Sequence, residues 1–187
     1  MLDHAAKTVF HLLAKSALLQ KAAARYGMRK PTSFARRFIA GETIEEAASA
    51  ARHLQASGLH ITLDYLGEAV TSLAEADAAT VEYRRMLGVI ISSQVERNLS
   101  LKLTQLGLDV DRASAVDNLR KILDRADGFF VRIDMESSHY TDMTLDVFET
   151  LWGHHYRQMG VVLQADLYRT EKDAERIIAL GARVRLV

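Results

Sequence analysis

Asp64, Lys102, Asp134, Gln164 and Arg185 fall one apiece in five short apolar stretches, "LHITLDY", "NLSLKLT", "FFVRID", "GVVLQA" and "ARVRLV". Lys102 and Arg185 are cations suited to an anionic substrate. Asp134 can receive a cation or orient the lysine, and the Gln164 amide can hydrogen-bond a heterocycle. That set suits recognition of an amino acid or an electron-poor ring. An unpaired Lys102 or Asp134 in a packed interior would cost several kcal/mol of desolvation, so each is expected to have a charged partner or ligand. The same residues would serve equally as an ion-pair network closing a barrel rim, since structural networks perturb charges as catalytic ones do. A Schiff-base lysine at Lys102 is a third reading.

Other chemistry-bearing residues lack the spacing their chemistry requires. His154 and His155 are adjacent and point apart, His139 lies upstream, and no H-E-x-x-H occurs, so no metal site is expected. Ser137 and Ser138 adjoin His139 without a nucleophile-elbow sequence. Arg36 and Arg37 read as a charged helix face, and Phe34, Phe38 and Ile39 as an apolar stripe.

Residues that act together need elements that bring them together. Between the apolar stretches, residues 68–87, 113–125, 141–152 and 171–180 carry apolar side chains three and four apart, the helical interval. Thr170 and Asp173 have the spacing of an N-terminal cap and Gly181 that of a stop. Strands alternating with helices predict a parallel sheet. A doubly wound nucleotide-binding sheet would carry a glycine-rich turn after its first strand, yet "LDYLGEAV" has a single glycine. A (βα)8 barrel needs no such turn and collects its site from the C-terminal ends of many strands, where Asp134 would face a pocket. Glu136, two residues on, would share that face only if the strand continued, and "ESSHY" argues against it. Upstream, residues 1–27 predict an amphipathic helix with Phe10, Leu13 and Ala17 on one side. Thr43 and Glu46 have capping-box spacing ahead of Ile44, Ala47, Ala48 and Ala51, with Gly58 as the stop. The expected organisation is a helical arm over 1–57 and a βα barrel portion over 58–187.

The 187 residues are 49% hydrophobic, and 24 basic side chains balance 24 acidic ones, so no electrostatic reason exists to expect nucleic acid as a partner. The absence of cysteine excludes disulfides, thiolate zinc sites and a cysteine nucleophile, and fits a reducing, cytoplasmic setting. No apolar run approaches the roughly 20 residues of a membrane span. His11, Lys15 and Lys21 interrupt the opening segment where a signal peptide would need an apolar centre.

Taken in order, "RFIAGETIEEA", "TLDYLGEAVT", "LSLKLTQLGLD", "VRIDMESSHYTDMTLDVFE", "VVLQADLYRTEKD" and "RVRLV" resemble the flavin-dependent proline dehydrogenases, especially the short bacterial single-function type, from about residue 34 to the last. The resemblance implies FAD at the C-terminal mouth of a distorted (βα)8 TIM-type barrel. It implies oxidation of L-proline to Δ1-pyrroline-5-carboxylate and a membrane quinone as electron acceptor. It matches Lys102 to the lysine that holds the substrate carboxylate and Asp134 to the acid beside the proline site. Gln164 and Arg185 match residues that hydrogen-bond the flavin, and Asp64 and Glu68 a first-strand motif that supports the lysine. Asp166 stands where the family commonly has an aromatic residue, which implies altered packing or charge beside Gln164.

A complete barrel takes roughly 250 residues, whereas about 130 follow Gly58, enough for four βα units and a fifth strand. The family's later lysine-glycine-alanine-tyrosine motif, last strands and arginine-bearing final helix are not in these 187 residues. The sequence therefore predicts the first half of a barrel, with a fifth strand at an open edge and a tendency to self-associate. The alternative to a flavoenzyme portion is a non-catalytic half-barrel interaction module that pairs with a second copy.

Overall fold

The computed structural model describes residues 38–67 and 69–187. The expected helix bearing Phe10, Leu13 and Ala17, together with Phe34, Arg36, Arg37 and Glu68, lies outside them. Met1–Ala50 and Ala51–Val187 are separate compact units. Helix α1, Ile44–Ala56, begins where the Thr43 hydroxyl accepts the Glu46 N–H at 3.3 Å. The Glu46 carboxylate reaches back to the Glu42 N–H at 3.0 Å, one residue earlier than an ideal capping box would place it.

Five strands follow: β1 Leu63–Asp64, β2 Asn98–Leu101, β3 Phe130–Ile133, β4 Met159–Leu163 and β5 Arg183–Leu186. They form one sheet in the order β1-β2-β3-β4-β5, each pair parallel. In a doubly wound sheet the order would reverse at a switch point; sequential parallel pairing is the arrangement of a (βα)8 barrel. The connecting helices are α2 Leu73–Ser92, α3 Arg112–Leu123, α4 Thr141–Gly153 and α5 Thr170–Ala179.

Two helix starts differ from the sequence reading. The first of these helices begins at Leu73, not 68, because Ser72 caps it by accepting the Glu75 N–H, while Ala69 takes a left-handed φ of 52° that a helix cannot accommodate. In α5, Thr170 and Asp173 form no cap. The Thr170 hydroxyl donates to the Gln164 carbonyl instead, and Asp173 pairs with Arg169. Gly181 does stand at the stop, with φ 69°.

Alternation along the strands separates two faces. Leu99, Leu101, Val131, Ile133, Val161 and Leu163 turn to one side and are at most 1% exposed. This layer shares its burial with Leu87 and Ile90 of α2, Leu119 and Ile122 of α3, Phe148 and Leu151 of α4, and Ile177 of α5. The helices are thus held by their apolar stripes, the main source of stability in such packing. The opposite face carries the polar residues.

Candidate functional site

The strand register fixes which polar residues can meet. Leu101 pairs with Ile133, so Lys102 and Asp134, next along their strands, stand level; Val162 pairs with Arg185 on the same rung. Asp64 is opposite Ser100, one step lower, and Gln164 lies one step higher than Arg185. The five residues occupy three successive levels, not the single level that strand position alone suggests.

Their pairing also differs from a lysine opposite Asp134. Lys102 Nζ lies 3.2 Å from Asp64 Oδ2, and Arg185 Nη2 lies 2.6 Å from Asp134 Oδ1. Neighbouring strands thus share one ion pair, and β3 and β5 share another across β4. Burial raises the Asp64 pKa above its ordinary value; the Lys102 charge and hydrogen bond oppose this, and the nearby Asp134 adds to it. Asp64 Oδ1 and Arg185 Nε are buried without a hydrogen-bond partner. Each pair therefore retains an acceptor or donor directed at something other than its partner.

Glu136 sits beyond the end of β3 and takes no part in these pairs. Its carboxylate accepts the Thr104 N–H at 3.1 Å and the Thr104 hydroxyl at 2.5 Å. Thr104 Oγ1 in turn accepts the Ala69 N–H at 3.1 Å. Three loops, those after β1, β2 and β3, are tied together by one buried threonine. The short 3-10 turn Thr104–Leu106 holds the first loop a second time: the Gln105 amide nitrogen lies 3.1 and 3.2 Å from the Gly67 and Tyr65 carbonyls and 2.8 Å from Tyr83 Oη. A Cβ at Gly67 would sit 2.5 Å from the other terminal atom of that amide, so a side chain there would displace Gln105. Tyr83 is fully buried on α2, and burial pushes its phenol pKa far up.

Gln164 is half-buried, and the Thr170 hydroxyl bonds its carbonyl, fixing the turn into α5. Asp166 in that turn is exposed. His139 packs edge-on against Tyr140, and among the described residues no group of three His, Cys, Asp or Glu side chains could hold a metal ion. Thr104, Gln105 and Tyr83 escape sequence reading, because their partners are more than 20 residues away and no spacing rule links them.

Charged and amide side chains at the C-terminal ends of sequentially paired parallel strands define a protein of the (βα)8-barrel type. The chain belongs to the proline dehydrogenase family, whose sequence model, described as "Proline dehydrogenase", matches residues 47–186. It is 38% identical over 181 residues to proline dehydrogenase 1 of Bacillus subtilis subsp. natto, covering 96% of this chain and 59% of that protein. It is 32% identical over 165 residues to the proline dehydrogenase of Deinococcus radiodurans, covering 85% of this chain and 53% of that one. The chain thus spans between half and three-fifths of the length of these relatives. Among solved structures it resembles proline utilization A from Bdellovibrio bacteriovorus inactivated by N-propargylglycine. That match has a TM-score of 0.71 and 25% identity over 80% of this chain and 19% of the other.

Proposed function

We propose that these residues form part of the site of an FAD-dependent proline dehydrogenase that oxidises L-proline to Δ1-pyrroline-5-carboxylate in proline catabolism. The observation that carries this reading is the paired arrangement of Lys102 with Asp64 and Asp134 with Arg185 at the strand ends, in a chain of the proline dehydrogenase family. Lys102, already positioned by Asp64, binds the substrate carboxylate. Asp134 lies beside the proline ring and holds Arg185. The Arg185 Nε–H, buried and unpartnered, is a free donor of the kind a flavin ring edge accepts, and the Gln164 amide adds a second. These residues fit FAD, which when bound supplies the two-electron acceptor for the proline carbon–nitrogen bond before a quinone takes the electrons onward. Exclusion of water and alignment of the ring are left to the protein.

Residues 58–187 are the barrel portion in this reading and 1–57 a helical arm. No helix among the described residues is long and apolar enough to cross a membrane; a cytoplasmic protein meeting its quinone by peripheral association is the corresponding arrangement. Self-association is part of the same reading. The visible absorbance spectrum of the purified protein tests the reading: an oxidised-flavin band that bleaches on adding L-proline is expected. A bound flavin indifferent to proline would overturn the substrate assignment, and a protein that takes up no FAD would overturn the flavin assignment.

A further inference from the structure

Below the paired rim, the polar face carries two more cations. Arg132 stands on β3 two residues before Asp134, and Arg183 on β5 two before Arg185, so alternation turns them to the same face. Gly160 of β4 lies between them in register, opposite Arg132 on one side and Arg183 on the other. With no side chain there, Phe130 reaches across the strand: a Cβ at residue 160 would sit 2.6 Å from Phe130 Cζ and 2.7 Å from the Arg183 carbonyl oxygen. The guanidinium carbons of Arg132 and Arg183 lie 5.1 and 4.9 Å from the centre of that ring. Aromatic contact of this kind orients a guanidinium without neutralising it.

Neither arginine has a carboxylate within 4.0 Å among the described residues, and Arg132 makes a single long hydrogen bond, 3.4 Å to Thr62 Oγ1. Ser100, level with Arg132 on β2 and 1% exposed, has a hydroxyl without a partner. Burial lowers the Arg132 pKa, as does the Arg185 charge; Asp134 opposes this, and Arg183 lowers it further. Among the described residues of this face, Lys102, Arg132, Arg183 and Arg185 stand with Asp64 and Asp134, four cations to two anions, in a chain whose net charge is zero. The excess is local.

We propose that Arg132 and Arg183, with the Ser100 hydroxyl, form an oxyanion-binding subsite below the rim, for a phosphate or a carboxylate. Two oriented guanidinium forks match a planar or tetrahedral oxyanion, and the buried hydroxyl adds a neutral donor. An anion there relieves the repulsion between the arginines and supplies the partner that Ser100 lacks.

The test uses the 187-residue chain. Thermal unfolding is followed against sodium phosphate, sodium acetate and sodium chloride at matched ionic strength, and phosphate affinity is measured by calorimetry. A saturable rise in Tm with phosphate alone assigns a phosphoryl ligand, with acetate alone a carboxylate, and with both an oxyanion of either kind. Arg183→Gln, on an exposed edge residue, is expected to weaken binding of the effective anion roughly tenfold or more, and Arg183→Lys to weaken it less. Chloride reproducing the whole rise, or Arg183→Gln binding as the parent does, overturns the subsite. Should the arginine variants not fold, Ser100→Ala decides: anion affinity that stays unchanged removes the proposal.

Discussion

Along β3, Val131 and Ile133 turn to the helix side and are wholly buried, whereas Phe130, Arg132 and Asp134 turn the other way and are only half-buried. The two faces of the sheet differ in completeness as well as polarity. On the helix side the residues of β2, β3 and β4 are buried, while Val184 and Leu186 of β5 remain exposed. On the polar side Asp64 Oδ1, Asn98 Oδ1, Ser100 Oγ and Arg185 Nε are buried without partners; two threonine hydroxyls of α4, at 141 and 144, complete that set among the described residues. The pleat therefore divides single strands: one set of side chains holds the fold, and the other carries polar groups, four of whose atoms lack a hydrogen-bond partner among the described residues.

Substitutions separate the two faces by size of effect. Phe148 is fully buried in α4, and Phe148→Ala removes a large ring from the apolar layer. It should cost about 3 to 5 kcal/mol in a urea-unfolding measurement, a larger loss than any substitution on the polar face should bring. A loss under about 1 kcal/mol would mean that the helix layer is not what secures the sheet. Gly160→Ala comes next. Its Cβ would meet a backbone carbonyl at 2.7 Å as well as the Phe130 ring, so β4 and β5 must move apart, at about 1 to 3 kcal/mol. Thr104→Val keeps the shape but removes the hydroxyl shared by Glu136 and Ala69. About 1 to 2 kcal/mol should be lost. Hydrogen exchange at the Ala69 amide should accelerate more than exchange in α3; equal protection in both proteins would show that the three loops are not tied through this residue.

The apolar face was the more legible in the sequence. Five stretches such as "GVVLQA", alternating with helices of period three to four, gave the parallel barrel-type sheet, and the lack of a glycine-rich turn after "LDYLG" favoured sequential strand order over a doubly wound one. These signals are local, so they survive in one dimension. Strand position also brought Asp64, Lys102, Asp134 and Arg185 to one end of the sheet, but it could not say which carboxylate pairs with which cation. Pairing depends on inter-strand register, and a register shift of one residue changes no composition. Glu136 shows the same limit: "ESSHY" indicated that the strand had ended, and nothing in the sequence pointed to Thr104, 32 residues away. The helix start misread at residue 68 failed for a different reason, since a left-handed alanine held by a distant hydroxyl leaves no propensity signal.

Lys102→Ala acts on folding and on binding together and draws the contrast most sharply. The Lys102 and Asp64 side chains are about three-quarters buried, so removing the lysine leaves a largely buried carboxylate and should cost about 1 to 3 kcal/mol. Its effect on Asp64 is directional. Burial already raises that carboxyl pKa, and the lysine's charge and hydrogen bond hold the rise in check. Without the lysine, burial and the Asp134 charge remain, so the Asp64 midpoint in a carboxyl NMR titration should move further up. An acid whose folded pKa lies above its unfolded value favours folding most below the unfolded value, and that contribution is lost as pH rises through the folded one. The variant's deficit should accordingly be smallest near pH 3 and largest at neutral pH. A midpoint that fell would show that some other group restrains Asp64. The same substitution should weaken proline binding by the roughly 1.5 to 3 kcal/mol of a charge-assisted contact. That pattern differs from Phe148→Ala, in which stability falls first.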